Sequence, residues 1–370
     1  MRLRRVIGWS VGGLALAGIG ALTFGYWTSD NDCEARRAKP VANPMKAITH
    51  CDYGTAEVLQ LEDVEKPTPA DDEVLVRVRA AGANPLDWHN MRGTPYVMRL
   101  GTGLRRPEDT RLGVDFAGTV EAVGRNVRRF APGDEVFGGR NGAFAEYVVV
   151  RESRAIVPKP ANLSFEQAGA VAIAATTALQ ALRDRGQVRP GQRVLINGAS
   201  GGVGTFAVQI AKSLGAHVTG VCSTRNVELV RSLGADEVVD YTREDYTLGG
   251  QTYDVIIDNV GNRPLLANRR VLAPDGRYVL IGGGGPDDGR WIGPLVGPVK
   301  ALLLSPFVSQ QMGMFLAELN AKDLAVLADL MQSGQVTPVI DRRYPLEQTA
   351  AAIGYLETGR ARGKVVITVD

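Results

Sequence analysis

One stretch of this chain has the residue types and spacing to hold a phosphate. Asn197-Gly198-Ala199-Ser200-Gly201-Gly202-Val203-Gly204 carries three glycines in the four positions from 201 to 204. Glycine lets the backbone approach a pyrophosphate, and a helix N-terminus beyond it supplies N–H groups and a favourable dipole. Ala199-x-Gly201-x-x-Gly204 therefore reads as a dinucleotide fingerprint with alanine in first place, and Ala199, Ser200, Gly201, Gly202, Val203 and Gly204 are candidate cofactor contacts. Folds that bind NAD usually place an acid about 20 residues further on, at the ribose 2′-hydroxyl. Here that strand ends Gly220-Val221-Cys222-Ser223-Thr224-Arg225-Asn226, with no acid. Ser223 and Arg225 suit a 2′-phosphate instead, arginine through charge-assisted hydrogen bonds, so NADPH is the expected cofactor.

Such a turn works only between a strand and a helix, and the flanks supply both. Val194, Leu195 and Ile196 make a short apolar run, and Val203, Phe206, Ile210 and Leu214 recur at helical spacing. Further runs at Val218–Cys222, Glu237–Asp240, Asp254–Asp258 and Tyr278–Ile281 are separated by helix-length segments, the rhythm of a parallel α/β sheet. The region before it differs. Val74, Val76 and Val78 alternate with Leu75, Arg77 and Arg79, and Val114–Val123 and Ala145–Val150 are also strand-like, so this half is mostly β. Leu163–Leu182 is an alanine-rich helical stretch joining the two. The expected fold class is α/β, with a mostly-β catalytic domain at 45–162, a doubly wound nucleotide-binding domain at 163–310, and a tail at 311–370 that returns to short strands.

At 370 residues the chain has room for two cored domains. Its net charge of +2, with no basic aromatic patch, gives no reason to expect nucleic acid. Three cysteines, Cys33, Cys51 and Cys222, suggest neither a disulfide framework nor zinc spacing. His50 and His217 read as structural.

The first 30 residues stand apart. Arg2, Arg4 and Arg5 precede Val6–Ser29, which has no charged residue and has Trp9, Tyr26 and Trp27 near its ends. About 20 apolar residues cross a bilayer as a helix, so a single transmembrane anchor is expected over 1–30. A cleaved signal is the rival, but no small-x-small site precedes Phe24, Tyr26 and Trp27. Residues 31–44, polar and proline-ended, read as a linker, and Met45 as an alternative start. The positive-inside rule, applied to Arg2, Arg4 and Arg5, would put the enzyme across the membrane, but Arg36, Arg37 and Lys39 on the other side make the count 3 against 3. NADPH, regenerated in the cytoplasm, argues the other way, and on that ground the cytoplasmic side is preferred.

From Met45 to Val369 the chain resembles the medium-chain dehydrogenase/reductase superfamily, in its zinc-free quinone oxidoreductase-like branch. The motifs are Ala83-Asn84-Pro85-Leu86-Asp87, Gly113-Val114-Asp115-Phe116-Ala117-Gly118, Pro132-Gly133-Asp134-Glu135-Val136, the glycine turn, Leu233-Gly234-Ala235-Asp236 and Gly359-Arg360-Ala361-Arg362-Gly363-Lys364-Val365-Val366. The resemblance implies a GroES-like catalytic domain beside a Rossmann domain, with the active site in the cleft. Zinc-dependent members have cysteine at the place of Asn84 and His-Glu at Val114-Asp115, so no metal is expected. It further implies that Asn84 and Thr177 lie near the nicotinamide and that Tyr241 approaches the 2′-phosphate. His89, often tyrosine in the family, is the candidate proton donor. Asp87 reads as a brace. The loop Tyr96–Asp109 should lie at the cleft mouth, as a specificity element or a decorated surface loop. A homodimer is implied by the family alone.

Without a metal to polarise a simple alcohol, the expected reaction is hydride transfer to an activated acceptor, a quinone or an α,β-unsaturated carbonyl. Two alternatives stand beside it: a 2-enoyl thioester reductase, and a low-activity, membrane-associated NADPH-binding protein.

Overall fold

A computed structural model describes residues 31, 33–282, 291 and 309–369. Two large sheets dominate it. The first to form along the chain is seven-stranded and built mainly from antiparallel pairs. Its path is β14 (Ile340–Pro345), β15 (Lys364–Thr368), β3 (Glu73–Ala83), β4 (Asp115–Val123), β5 (Glu135–Gly139) and β7 (Ile156–Pro158), with β6 (Tyr147–Arg151) paired to β3. The valine alternation has the predicted effect. Val74, Val76 and Val78 are at most 1% exposed and enter a core with Phe116, Val136 and Phe144, while Arg77 and Arg79 face out.

The second sheet has six strands, all parallel, in the order β10 (Glu237–Asp240), β9 (His217–Cys222), β8 (Arg193–Asn197), β11 (Tyr253–Asp258), β12 (Leu272–Leu280), β13 (Gln311–Met314). The order doubles back at β8, and the crevice at such a reversal is where doubly wound sheets bind ligands. Val194, Leu195 and Ile196 are fully buried in β8, and Phe206 and Ile210 of the helix Gly202–Ser213 pack against the sheet. Two glycines make that corner possible. Gly198 has φ +78°, and a Cβ on Gly204 would lie 2.1 Å from the Gly198 carbonyl oxygen. The nucleotide sheet continues past residue 310 to β13, and the return to the first sheet begins at β14.

The segment after the N-terminal 30 residues is not a free linker. The helix Cys33–Arg37 is docked on the catalytic domain, and Cys33 is disulfide-bonded to Cys51, with Cα atoms 5.8 Å apart. The sequence suggests no disulfide framework, and this one bridge is not read from it. Arg37 adds hydrogen bonds to Glu62 and Gln60 of β2 (Gln60–Glu65), which pairs with β1 (Pro44–Thr49). Among the described residues no helix is long and apolar enough to cross a membrane, and the predicted span at 1–30 lies outside them.

Candidate active site

β3 ends at Ala83, and the next residue, Asn84, caps the helix Pro85–Arg92. Asn84 is 1% exposed and every end of it is engaged. Its backbone N–H donates to Asp87 Oδ2 at 2.7 Å, its Nδ2 donates to the Gly82 carbonyl at 3.1 Å, and its Oδ1 accepts from Lys364 Nζ at 2.5 Å. Asp87, buried in the first turn of that helix, is the expected brace. Burial pushes its carboxyl up to about 7; the Asn84 N–H opposes the shift, and nearby Asp115 adds to it.

Lys364 is the centre of this arrangement. It opens β15, is 2% exposed, and also donates to Asp115 Oδ2 at 3.2 Å. Asp115, the first residue of β4, uses its other oxygen to accept the Ile173 N–H at 2.8 Å, in the first turn of the helix Ala172–Gln180. That helix carries Thr177, 8% exposed, whose hydroxyl donates to the Ile173 carbonyl at 2.7 Å. The stem of Lys364 runs over the nucleotide turn, where a Cβ on Gly202 would lie 3.3 Å from its Cδ. Just before it, Gly363 N–H donates to the Ser200 carbonyl at 2.9 Å. One strand end thus joins Asn84 and Asp115 of the catalytic domain to the phosphate turn.

The cofactor candidates form a second cluster. Asn226 Nδ2 donates to Ser200 Oγ at 2.9 Å and to Ser223 Oγ at 3.3 Å, tying the turn to the tip of β9. Tyr241 is held at the same tip by its N–H on the Cys222 carbonyl and is half exposed. Arg225 is exposed and donates to the Arg360 carbonyl at 2.7 Å. Asp240, opposite Cys222 on the neighbouring strand, is already bonded by the Thr224 and Thr242 hydroxyls. A 12-residue helix beginning at Gly202 supplies unpaired first-turn N–H groups beside this polar and cationic corner. The residues present fit a dinucleotide.

His89 sits apart from the lysine network. Its Nδ1 donates to the Thr94 carbonyl at 2.6 Å, its ring stacks on Trp88, and burial holds its pKa below the ordinary value. A neutral imidazole with Nδ1–H committed has only a lone pair at Nε2. That geometry suits an acceptor and runs against the proton-donor expectation.

Nor does the site suit a catalytic zinc. The donor set is an amide oxygen and a carboxylate already shared by an ammonium group. No group of three or more His, Cys, Asp or Glu that could hold a metal occurs among the described residues. Lys364 is the residue that sequence reasoning missed as a site member. Its signal was a cation heading the apolar run Val365-Val366-Ile367.

Comparison with known proteins gives a consistent picture. Residues 70–161 match the family described as alcohol dehydrogenase GroES-like domain, and residues 233–367 match that described as zinc-binding dehydrogenase. A 2-methylene-furan-3-one reductase of Solanum lycopersicum is 34% identical over 344 residues, covering 88% of this chain and 80% of that protein. A trans-enoyl reductase of Aspergillus terreus is 35% identical over 325 residues, covering 81% of this chain and 87% of that protein. The solved quinone oxidoreductase from Coxiella burnetii superposes with a TM-score of 0.78 at 30% identity, covering 89% of this chain and all of that one.

Proposed function

Because the chain belongs to the medium-chain dehydrogenase/reductase superfamily, in its quinone oxidoreductase-like group, we propose that it is an NADPH-dependent reductase of quinones or α,β-unsaturated carbonyls. The observation that carries this reading is the Lys364 ammonium held between Asn84 and Asp115 beside the glycine turn. These are the positions where the zinc-dependent members' motifs have their ligands. A reduced nicotinamide on the turn would supply the hydride. The chain's own contribution is a fixed, buried positive charge, which stabilises negative charge developing on an acceptor oxygen. Asn84 and Asp115 orient that charge. Thr177, its proton given to Ile173, keeps acceptor lone pairs, and His89 offers a lone pair at Nε2. Ser223, Arg225 and Tyr241 at one corner support NADPH over NADH, since their polar and cationic groups suit a phosphate.

The test is oxidation of NADPH and of NADH by the purified full chain, over quinones, enones and enoyl thioesters. Faster turnover with NADPH on quinones or enones is the expected result. Turnover confined to enoyl thioesters would give the reading to the carrier-linked alternative, which the Aspergillus terreus relative favours. Equal rates with the two cofactors would remove the phosphate role of Arg225.

We further read Val6–Ser29 as a single membrane anchor and carry over the family homodimer. β13 ends the strand order of the nucleotide sheet among the described residues, and edge strands are templates for pairing. The Cys33–Cys51 disulfide supports an oxidising compartment for the enzyme domain. The charge rule does not decide, since Arg2, Arg4 and Arg5 are matched by Arg36, Arg37 and Lys39 on the other side; on the disulfide we favour the non-cytoplasmic side over the preference drawn from the cofactor.

A further inference from the structure

The strongest unexplained feature is an exposed apolar face beside the point where the N-terminal segment reaches the domain. Val97 is 39% exposed, Leu100 64% and Trp291 74%, all large side chains with no role in the site. Trp291 meets Tyr96 edge to face at 5.3 Å, so the loop after the helix Pro85–Arg92 touches residue 291. Arg99 stacks on both Tyr53 and Tyr96 and donates to the Gly93 carbonyl.

The same loop is fastened to the anchor's exit. Tyr53 donates its hydroxyl to the Thr102 and Gly103 carbonyls, and two residues before it Cys51 bonds Cys33. Asn31 Nδ2 donates to the Cys51 carbonyl at 2.7 Å and to the Pro107 carbonyl at 3.0 Å. Ser29, the last residue of the uncharged segment, lies two residues before Asn31, and two residues reach at most about 7 Å. Whatever surface the segment enters is therefore within that reach of Asn31, next to the loop.

We propose that Val97, Leu100 and Trp291 form a membrane-docking face, resting on the bilayer that Val6–Ser29 spans, so that a cleft mouth beside the loop Tyr96–Asp109, where the family resemblance puts it, opens at the lipid surface and takes lipid-soluble acceptors from it. The occupant is the bilayer because the chain leading to this face is itself uncharged and apolar over 24 residues, counted 6 to 29. The face also mixes exposed aliphatic and aromatic groups with arginine, as interfacial segments do. The proposal rests on the anchor reading above.

The experiment uses the full chain in lipid nanodiscs, with an environment-sensitive fluorophore on Leu100→Cys or, as control, on Leu248→Cys. Leu248 is equally open, at 72%, but lies beyond β10 in the nucleotide domain. The expected result is a blue shift at position 100, quenched by nitroxide-bearing lipids, and neither effect at position 248. A fluorophore at 100 that stays aqueous while the protein comigrates with the discs overturns the docking face and leaves the anchor standing. Protein that separates from the discs overturns the anchor and the docking face with it. Val97→Glu/Leu100→Glu should lower the rate several-fold for a long-chain quinone dissolved in the discs relative to its chainless, water-soluble parent. An unchanged ratio overturns delivery from the bilayer.

Discussion

At the scale of residues, the group to test is Lys364, whose buried ammonium joins Asn84 to Asp115. A buried ion pair is weak evidence of stability, but removing one partner leaves an uncompensated charge. Lys364→Met should therefore lower unfolding stability by about 3–5 kcal/mol, read from the urea midpoint, and should reduce turnover. Lys364→Met/Asp115→Asn, which removes both charges, should recover much of the stability but not the turnover. Equal stability losses in the single and double variants would show that the charge pairing is not what matters. Asp87 makes a separate prediction. Its folded carboxyl titrates at about 7 and its unfolded one at 3.8, so the folded state holds the proton longer. Its contribution is intact below the unfolded value and is lost as pH rises through the folded one, at about 1.4 kcal/mol per pH unit. Asp87→Asn keeps an oxygen for the Asn84 N–H and abolishes the titration. Its stability relative to wild type should rise with pH between those two values and level off above them. A difference independent of pH would mean that Asp87 titrates normally.

At the scale of elements, local pattern was legible wherever burial repeats with a fixed period. The run at 194–196 is β8, the helical spacing from Val203 is the helix Gly202–Ser213, and the valine alternation is β3. The predicted run 237–240 coincides with β10, while Tyr278–Ile281 caught only the end of β12 (Leu272–Leu280), whose earlier half includes Pro274-Asp275-Gly276 and breaks any apolar period. Leu163–Leu182 is split into the helices Phe165–Gly169 and Ala172–Gln180, since a carboxylate from β4 binds the backbone at Ile173. What the sequence could not show is pairing between distant segments. Lys364 meets Asn84 across 280 positions, and no periodicity encodes that. Cys33 and Cys51 are joined because the helix Cys33–Arg37 docks beside β2, a tertiary event that cysteine counting does not see. The glycine corner was readable because its constraint is local: a positive φ at Gly198 and a clash at Gly204 within six residues.

At the scale of the whole molecule, the two domains meet where β15 inserts Lys364 between them, and the N-terminal segment is joined to the catalytic domain at a single covalent crosspoint. Between Cys33 and Cys51 the stretch 37–40 and residues 42–44 are exposed, so a protease has access there. If Val6–Ser29 anchors the chain as proposed, a cut in that stretch would not shed the enzyme domain. The two pieces would stay joined through sulfur, and the nicked protein would sediment with membranes as before. Only cleavage followed by a thiol reductant should set it loose, which electrophoresis with and without reductant, alongside fractionation of the nicked membranes, would read directly. Release after the cut alone would mean that the crosslink does not form in the native protein. On the proposed anchor, shedding is thus a two-key operation, a proteolytic key and a reducing one, and neither turns without the other.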